Sequence, residues 1–192
     1  VDIGIINGGR RYAGLTAVPM APPIQIGQID ASLENWRRIA RVAQLSAVVT
    51  SARIRPILGS LLASSPEMRA VLTWEDLCKG RGVAFEPAAA GDVALIQFTS
   101  GSTSRPKGVI VTHENLGANV SAMTGADGLD LHEGDIGVGW LPLFHDMGLI
   151  GVVMGCTHAG VSMVLIPPLY FLKRPVSWLR VMSRHRASLS FA

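Results

Sequence analysis

Apolar residues recur along this chain with two different periods, and the switches between them mark out elements. "LTAVPMAP" (15–22) reads as a strand, a short apolar run bounded by turn formers. Leu33, Trp36, Ile39, Ala40 and Ala43 then fall at helical spacing, with Asp30 or Ser32 available as the N-cap. "SAVVTS" (46–51) is a second strand, Pro56 suits the first turn of a helix running to Ser64, and "AVLTW" (70–74) is a third strand. Residues 78–91, "CKGRGVAFEPAAAG", read as an irregular connector. "DVALIQF" (92–98) is a strand apolar on both faces, "VIV" (109–111) is another, and Thr112 caps a helix reaching Met123.

The second half continues the pattern. "IGVGWLPL" (136–143) predicts a buried strand, and a helix starts near Asp146. From Gly148 to Leu169 there is no Asp, Glu, Lys or Arg, a length that would span a bilayer. However, "GCTHAG" (155–160) interrupts it and Pro167-Pro168 ends it. The prediction is therefore a buried helix, a turn and a buried strand, "VSMVLI", with no transmembrane segment. "RPVSWLRVMSRHR" (174–186) predicts an amphipathic helix with Val176, Leu179 and Met182 inward, and "SLSFA" begins one more strand. Strands alternating with helices, each strand a continuous apolar run, predict an α/β fold with a largely parallel sheet covered by helices. No internal repeat appears, and no linker divides residues 1–192 into independent domains.

Composition narrows the function. With 48% hydrophobic and 16% charged residues in 192, the chain is not disordered. Its net charge of +3 is dispersed, and no basic block with interleaved aromatics points to nucleic acid. Cys78 and Cys156 form no CxxC spacing, so free thiols in a reducing compartment are expected. "VDIGIINGGRRYAG" lacks the basic region and long apolar core of a signal peptide, so the expected location is cytoplasmic. His113, His132, His145, His158 and His185 lack zinc-site spacing, and no metal site is expected.

The candidate chemistry lies in "FTSGSTSRPKGV" (98–109). Thr99, Ser100, Ser102, Thr103 and Ser104 supply hydroxyls, and Gly101 and Gly108 allow close backbone approach. Successive amides in such a turn make an anion-binding concavity, and Arg105 and Lys107 add positive charge. Together they suit a polyphosphate. The stretch is not a Walker A loop, because Pro106 and the apolar run after it predict strand–loop–strand instead of strand–loop–helix. A polar surface hairpin is the competing reading, since every residue type here also forms turns.

"TSGSTSRPKGV" resembles the phosphate-binding signature of the adenylate-forming superfamily, which runs [ST]-S-G-[ST]-T-x-x-P-K-G-V. That superfamily includes acyl-CoA synthetases, fatty acyl-AMP ligases, luciferases and peptide-synthetase adenylation domains. Ser104 stands where the family commonly has glycine, a departure frequent in fatty acyl-AMP ligases. "GWLPLFHDMGLIG" (139–151) resembles the next core motif in the form typical of those ligases, and "YAGLTAVPMAPP" (12–23) and "RPVSWLRVMSRHRAS" (174–188) are weaker echoes. The resemblance implies that Thr99, Ser100, Gly101, Ser102, Thr103 and Lys107 hold the β- and γ-phosphates of ATP, with Mg²⁺ on the triphosphate. It implies that His145, Met147 and Gly148 line the acyl pocket, and that a fatty acid is joined to AMP and passed to an acyl carrier protein or polyketide synthase. The alternatives are an acyl-CoA synthetase, or a silent acyl- or nucleotide-binding module. The family's later motifs, the lid lysine among them, do not occur in these 192 residues. The chain is therefore expected to be an inner fragment of the N-terminal AMP-binding domain, inactive alone, with no catalytic residue of its own.

His145 and Asp146 suggest a dyad, but adjacent residues on a helix diverge, so no relay between them is expected. Asp146 suits an N-cap, Trp140 a core or pocket-floor position, and Met147, Met154 and Met163 the core.

Overall fold

The computed structural model describes residues 2–7, 15–23, 29–80, 87–99 and 106–191. It divides into two compact units, residues 1–113 and 114–192.

The first unit is built on a six-stranded sheet of order β4-β3-β1-β2-β5-β6. Its strands are β1 (Asp2–Asn7), β2 (Leu15–Met20), β3 (Ala47–Thr50), β4 (Ala70–Thr73), β5 (Val93–Thr99) and β6 (Lys107–Thr112). β2 with β5 and β3 with β4 are parallel, whereas β1 is antiparallel to both its neighbours and β5 to β6. The fold is α/β as the sequence predicts, with a mixed sheet in this unit. Strand β1, in the middle of the sheet, was not predicted.

Helix α1 (Ile29–Ala43) buries Trp36, Ile39 and Ala40, the face its spacing predicts. They join Val18, Met20, Leu45, Val48, Ile54, Leu58, Met68 and Val71 in one core, with Leu33, Ala43, Ile96 and Phe98 packed against it. Leu45 and Leu58 are fully buried, and each such side chain contributes about 1.5–3 kcal/mol by leaving water. The Trp36 indole N–H donates to the Ala21 carbonyl at 2.9 Å, so its polar atom is satisfied inside the core. Helix α2 (Arg55–Ser64) carries Pro56 in its first turn, where the missing N–H costs nothing.

The third predicted strand is one residue too long, and a short unpredicted helix fills the stretch between it and the connector. Trp74 opens α3 (Trp74–Cys78) because Thr73 and Asp76 form a reciprocal capping box. The Arg55 guanidinium lies 3.0 Å from Asp76. Backbone and side-chain hydrogen bonds from Thr73, then Arg55, hold the Asp76 carboxyl below the usual carboxylate range.

The second unit carries α4 (His113–Thr124) from Glu114 onward and a three-stranded parallel sheet of order β8-β7-β9. Central β7 (Ile136–Gly139) is shorter than predicted: it ends before Trp140, and Pro142 begins a tight turn. Gly137 and Gly139 share one face of β7. A Cβ at Gly137 would stand 3.0 Å from Cys156 Sγ, and one at Gly139 3.1 Å from Val152. That glycine face lets the following helix sit close on the strand.

This helix is the π-helix Met147–Met154, which runs directly into α5 (Gly155–Ala159). "GCTHAG" therefore does not break the helix at its start; the break comes at Gly160, in the left-handed conformation with φ 66°. β8 (Ser162–Leu165) lies at the sheet edge with Leu165 exposed, so it is not the buried strand predicted. Among the described residues no helix is long and apolar enough to cross a membrane.

α6 (Pro168–Lys173) is an unpredicted short helix, and α7 (Val176–His185) leads to β9 (Leu189–Phe191). The inward face predicted for α7 is displaced. Val176 and Leu179 are exposed, and Ser177 is the buried residue. Trp178 fixes this rotation: its indole N–H donates to Ser190 Oγ at 2.7 Å, and Ser190 Oγ donates to the Val138 carbonyl at 3.0 Å.

Candidate functional site

Ser100, Gly101, Ser102 and Thr103 of the expected phosphate loop lie outside the described residues, as do Ser104 and Arg105. Its two ends are described. Thr99 closes β5, Lys107 opens β6, and the two are direct partners across the antiparallel pair. The predicted strand–loop–strand arrangement therefore holds at its base. Both side chains are exposed, and β6 is the edge strand.

Gly108, beside Lys107, has a packing reason to be glycine. A Cβ there would stand 2.8 Å from Ile96 Cγ2 and 3.1 Å from Phe98 Cζ. Phe98 and Ile96 pack against the core, so the loop's C-terminal root rests on the unit's apolar centre. Binding loops carried on rigid roots hold their donors in place.

The second group of site residues lies in the other unit. The segment Trp140–Asp146 turns back on itself, with the His145 N–H donating to the Pro142 carbonyl at 3.1 Å. Gly148 is buried against that same carbonyl, where a Cβ would have no room. The spacing of proline and glycine in "PLFHDMG" thus holds a turn against the first turn of a helix. Asp146 is the N-cap, accepting from the Met147 N–H at 2.7 Å.

His145 and Asp146 do meet, contrary to the sequence expectation: Nδ1 lies 2.7 Å from Asp146 Oδ1. His145 precedes the helix in a bend, so the divergence of neighbours within a helix does not separate them. Nδ1 thus faces both the carboxylate and the Met147 N–H, which donates to it at 3.4 Å, and Nε2 has no partner among the described residues. Both side chains are 66% exposed, so the pair orients the ring and adds little stability. Met147 is 51% exposed, not core as expected, while Met154 and Met163 are half-buried. His145 and Met147 thus present an imidazole and a thioether at the surface, and Gly148 supplies the close packing beneath them.

Trp140 is half-buried and stacks on Phe171, ring centroids 3.8 Å apart and 9° from parallel. Phe171 in turn meets Trp178 edge-on at 6.4 Å. Sequence reasoning missed this aromatic row, since Phe171 sits on the helix it did not find. Among the described residues no cluster of His, Cys, Asp or Glu could hold a metal ion.

The profile of the AMP-binding enzyme family matches residues 9–192. A Caulobacter vibrioides protein described provisionally as an acyl-CoA synthetase is 33% identical over 183 residues, 95% of this chain and 32% of that protein. A long-chain-fatty-acid–AMP ligase of Mycobacterium marinum is 36% identical over 191 residues, 96% of this chain and 32% of that protein. A solved chain from a study of fatty acyl-adenylate ligases of E. coli and L. pneumophila superposes with a TM-score of 0.88 at 35% identity, covering 94% of this chain and 33% of that one. The chain spans about a third of the length of these relatives. A match that runs over residues 9–192 makes this chain a member of the AMP-binding enzyme family.

Proposed function

We propose that this chain is the phosphate-holding and acyl-facing part of a fatty acid–AMP ligase. In that reaction a fatty carboxylate oxygen attacks the α-phosphorus of ATP, the bond to the β-phosphate breaks, and pyrophosphate leaves with the electron pair. Such chemistry is mostly positioning and charge stabilisation. The observation that carries the reading is the pairing of Thr99 with Lys107 at the root of the loop. It brings a hydroxyl and an ammonium to the two sides of the loop's mouth. Thr99 to Thr103 would hold the β- and γ-phosphates, and Lys107 would offset their charge.

The residues at hand fit ATP better than they fit a protein-held metal. The loop's root offers a cation and a hydroxyl and no carboxylate, so Mg²⁺ would be held by the triphosphate oxygens. It would supply charge neutralisation there. His145, oriented by Asp146, and Met147 would border the acyl group's path.

The likeness to a medium-chain-fatty-acid–[acyl-carrier-protein] ligase of Moorena producens, 31% identical over 188 residues, favours transfer of the acyl group to a carrier protein, whereas the likeness to the C. vibrioides protein favours coenzyme A. Incubating the full-length protein with ATP, Mg²⁺, a labelled fatty acid, and either coenzyme A or a phosphopantetheinylated carrier protein separates them. Acyl-AMP that persists with coenzyme A and is consumed by the carrier supports the ligase. Rapid acyl-CoA formation would replace it with the synthetase, and no acyl-AMP at all would leave a silent binding module.

A further inference from the structure

A cavity of about 480 Å³ opens beside α6 and α7, its wall including Tyr170, Arg174, Ser177, Arg180, Val181 and Arg184. The three arginines are exposed, and none has an ion-pair partner among the described residues. Local neutralisation is absent from the sequence itself: no Asp or Glu occurs from Met147 to Ala192, while Lys173, Arg174, Arg180, Arg184 and Arg186 all do. Arg180 and Arg184 stand one turn apart on α7, a spacing at which like charges repel. Ser177 is only 8% exposed, and its hydroxyl has no hydrogen-bond partner among the described residues. A set of uncompensated cations around one concavity calls for an anion.

We infer that this cavity binds the phosphate group of a small soluble molecule, a phosphate monoester or pyrophosphate. Guanidinium forks match phosphate oxygens two at a time, and three of them suit a group carrying two or more negative charges. A single carboxylate would leave most of that charge unmet. The concave wall with Val181 in it lowers the local dielectric and focuses the field on a small anion. Tyr170, with a hydroxyl in its side chain, is part of the same wall. The inference requires no adenylation chemistry, and the cavity lies wholly within residues 114–192, whereas Thr99 and Lys107 belong to residues 1–113.

The test is an amide chemical-shift titration of the ¹⁵N-labelled chain with sodium pyrophosphate and inorganic phosphate, ionic strength held constant with chloride. The expected result is saturable shifts at Arg174–Arg184, read separately from those at Thr99 and Lys107. Arg180→Ala with Arg184→Ala should weaken that response about tenfold or more. Arg186→Ala, outside the cavity wall, should leave it unchanged, and Arg180→Lys should retain only part of it. Unchanged urea midpoints show that the variants fold. Shifts that follow ionic strength alone, or that survive the double variant, would overturn the proposal. So would retention on phosphatidylcholine vesicles carrying phosphatidic acid without saturable binding of either soluble anion, which would assign the cavity to a lipid headgroup. Failure of the titration at Thr99 and Lys107 alone would count against the ATP-binding reading and leave this one standing.

Discussion

The carbonyl oxygen of Pro142 occupies the space that a Cβ on Gly148 would need. The obstructing atom is backbone, so no side-chain rotation relieves it. Gly148→Ala should cost about 1–3 kcal/mol, as overpacking of a well-filled site does. Gly117, inside α4, has nothing within 4 Å of its virtual Cβ. Gly117→Ala should therefore stabilise by about 0.5–1 kcal/mol. Urea unfolding of the two variants checks the contrast. Equal effects would show that the Pro142 turn yields more easily than its geometry implies.

Asp135 ties the entry of β7 to the entry of β9. Its Oδ1 accepts from Ser188 Oγ at 2.6 Å, its Oδ2 accepts from the His132 N–H at 2.8 Å, and Ser188 Oγ accepts from the Ile136 N–H at 3.2 Å. The Ser188 hydroxyl first, and the His132 amide second, hold the Asp135 carboxyl below the ordinary aspartate range. A carboxyl depressed by folding contributes stability above its unfolded value and loses it as pH falls through the folded value. The stability gap between the wild type and Asp135→Asn should be full at neutral pH and close below the ordinary aspartate range. Unfolding midpoints across an acid series measure it, and a gap that stays constant with pH would sink the assignment.

Lys107 is exposed at the head of an edge strand, so the fold does not depend on its charge. A charged donor lost from a phosphate site weakens binding by about tenfold or more. Lys107→Ala in the full-length protein should lower the rate of ATP–pyrophosphate exchange by that order and leave the unfolding midpoint unchanged. Wild-type exchange would favour the polar-hairpin reading of the loop.

The two thiols should separate in reactivity. Cys78 is exposed, and Cys156 is fully buried, with desolvation pushing its thiol up. The thiolate is the reactive form. A disulfide reagent at pH 8 should modify one thiol at once and the second only at the rate of unfolding. Fast reaction of both would show that the helix over β7 opens readily.

Much of the fold was legible where burial and period coincide. The α1 stripe of Trp36, Ile39 and Ala40 is one case, and the β5–β6 hairpin under the loop is another. α3 was legible too, since the sequence holds Thr73 and Asp76 at capping-box spacing, but the apolar run "AVLTW" outweighed it. The rotation of α7 was not legible. Its apolar residues sit at proper helical spacing, and only the long-range bond from Trp178 to Ser190 selects which face turns in. The contact of His145 with Asp146 failed for a related reason. It depends on where the helix begins, and the Pro142 turn sets that point.

The π-helix at Met147–Met154 fixes a phase. At Gly155 the amide reaches back five residues, to the Ile150 carbonyl, as well as to Val152. The wider turn absorbs a residue that an α-helix would spend on about 100° of rotation. Val152 and Cys156, at the helix's far end, are locked onto the glycine face of β7. Winding the same residues as a regular α-helix would add that rotation and, with those two anchored, swing His145 and Met147 about a quarter-turn around the helix axis. Removing one residue from the π-segment would let a regular α-helix restore the present aim. The aim of the motif's imidazole is thus set by residue count within an apolar stretch that carries no polar side chain of its own.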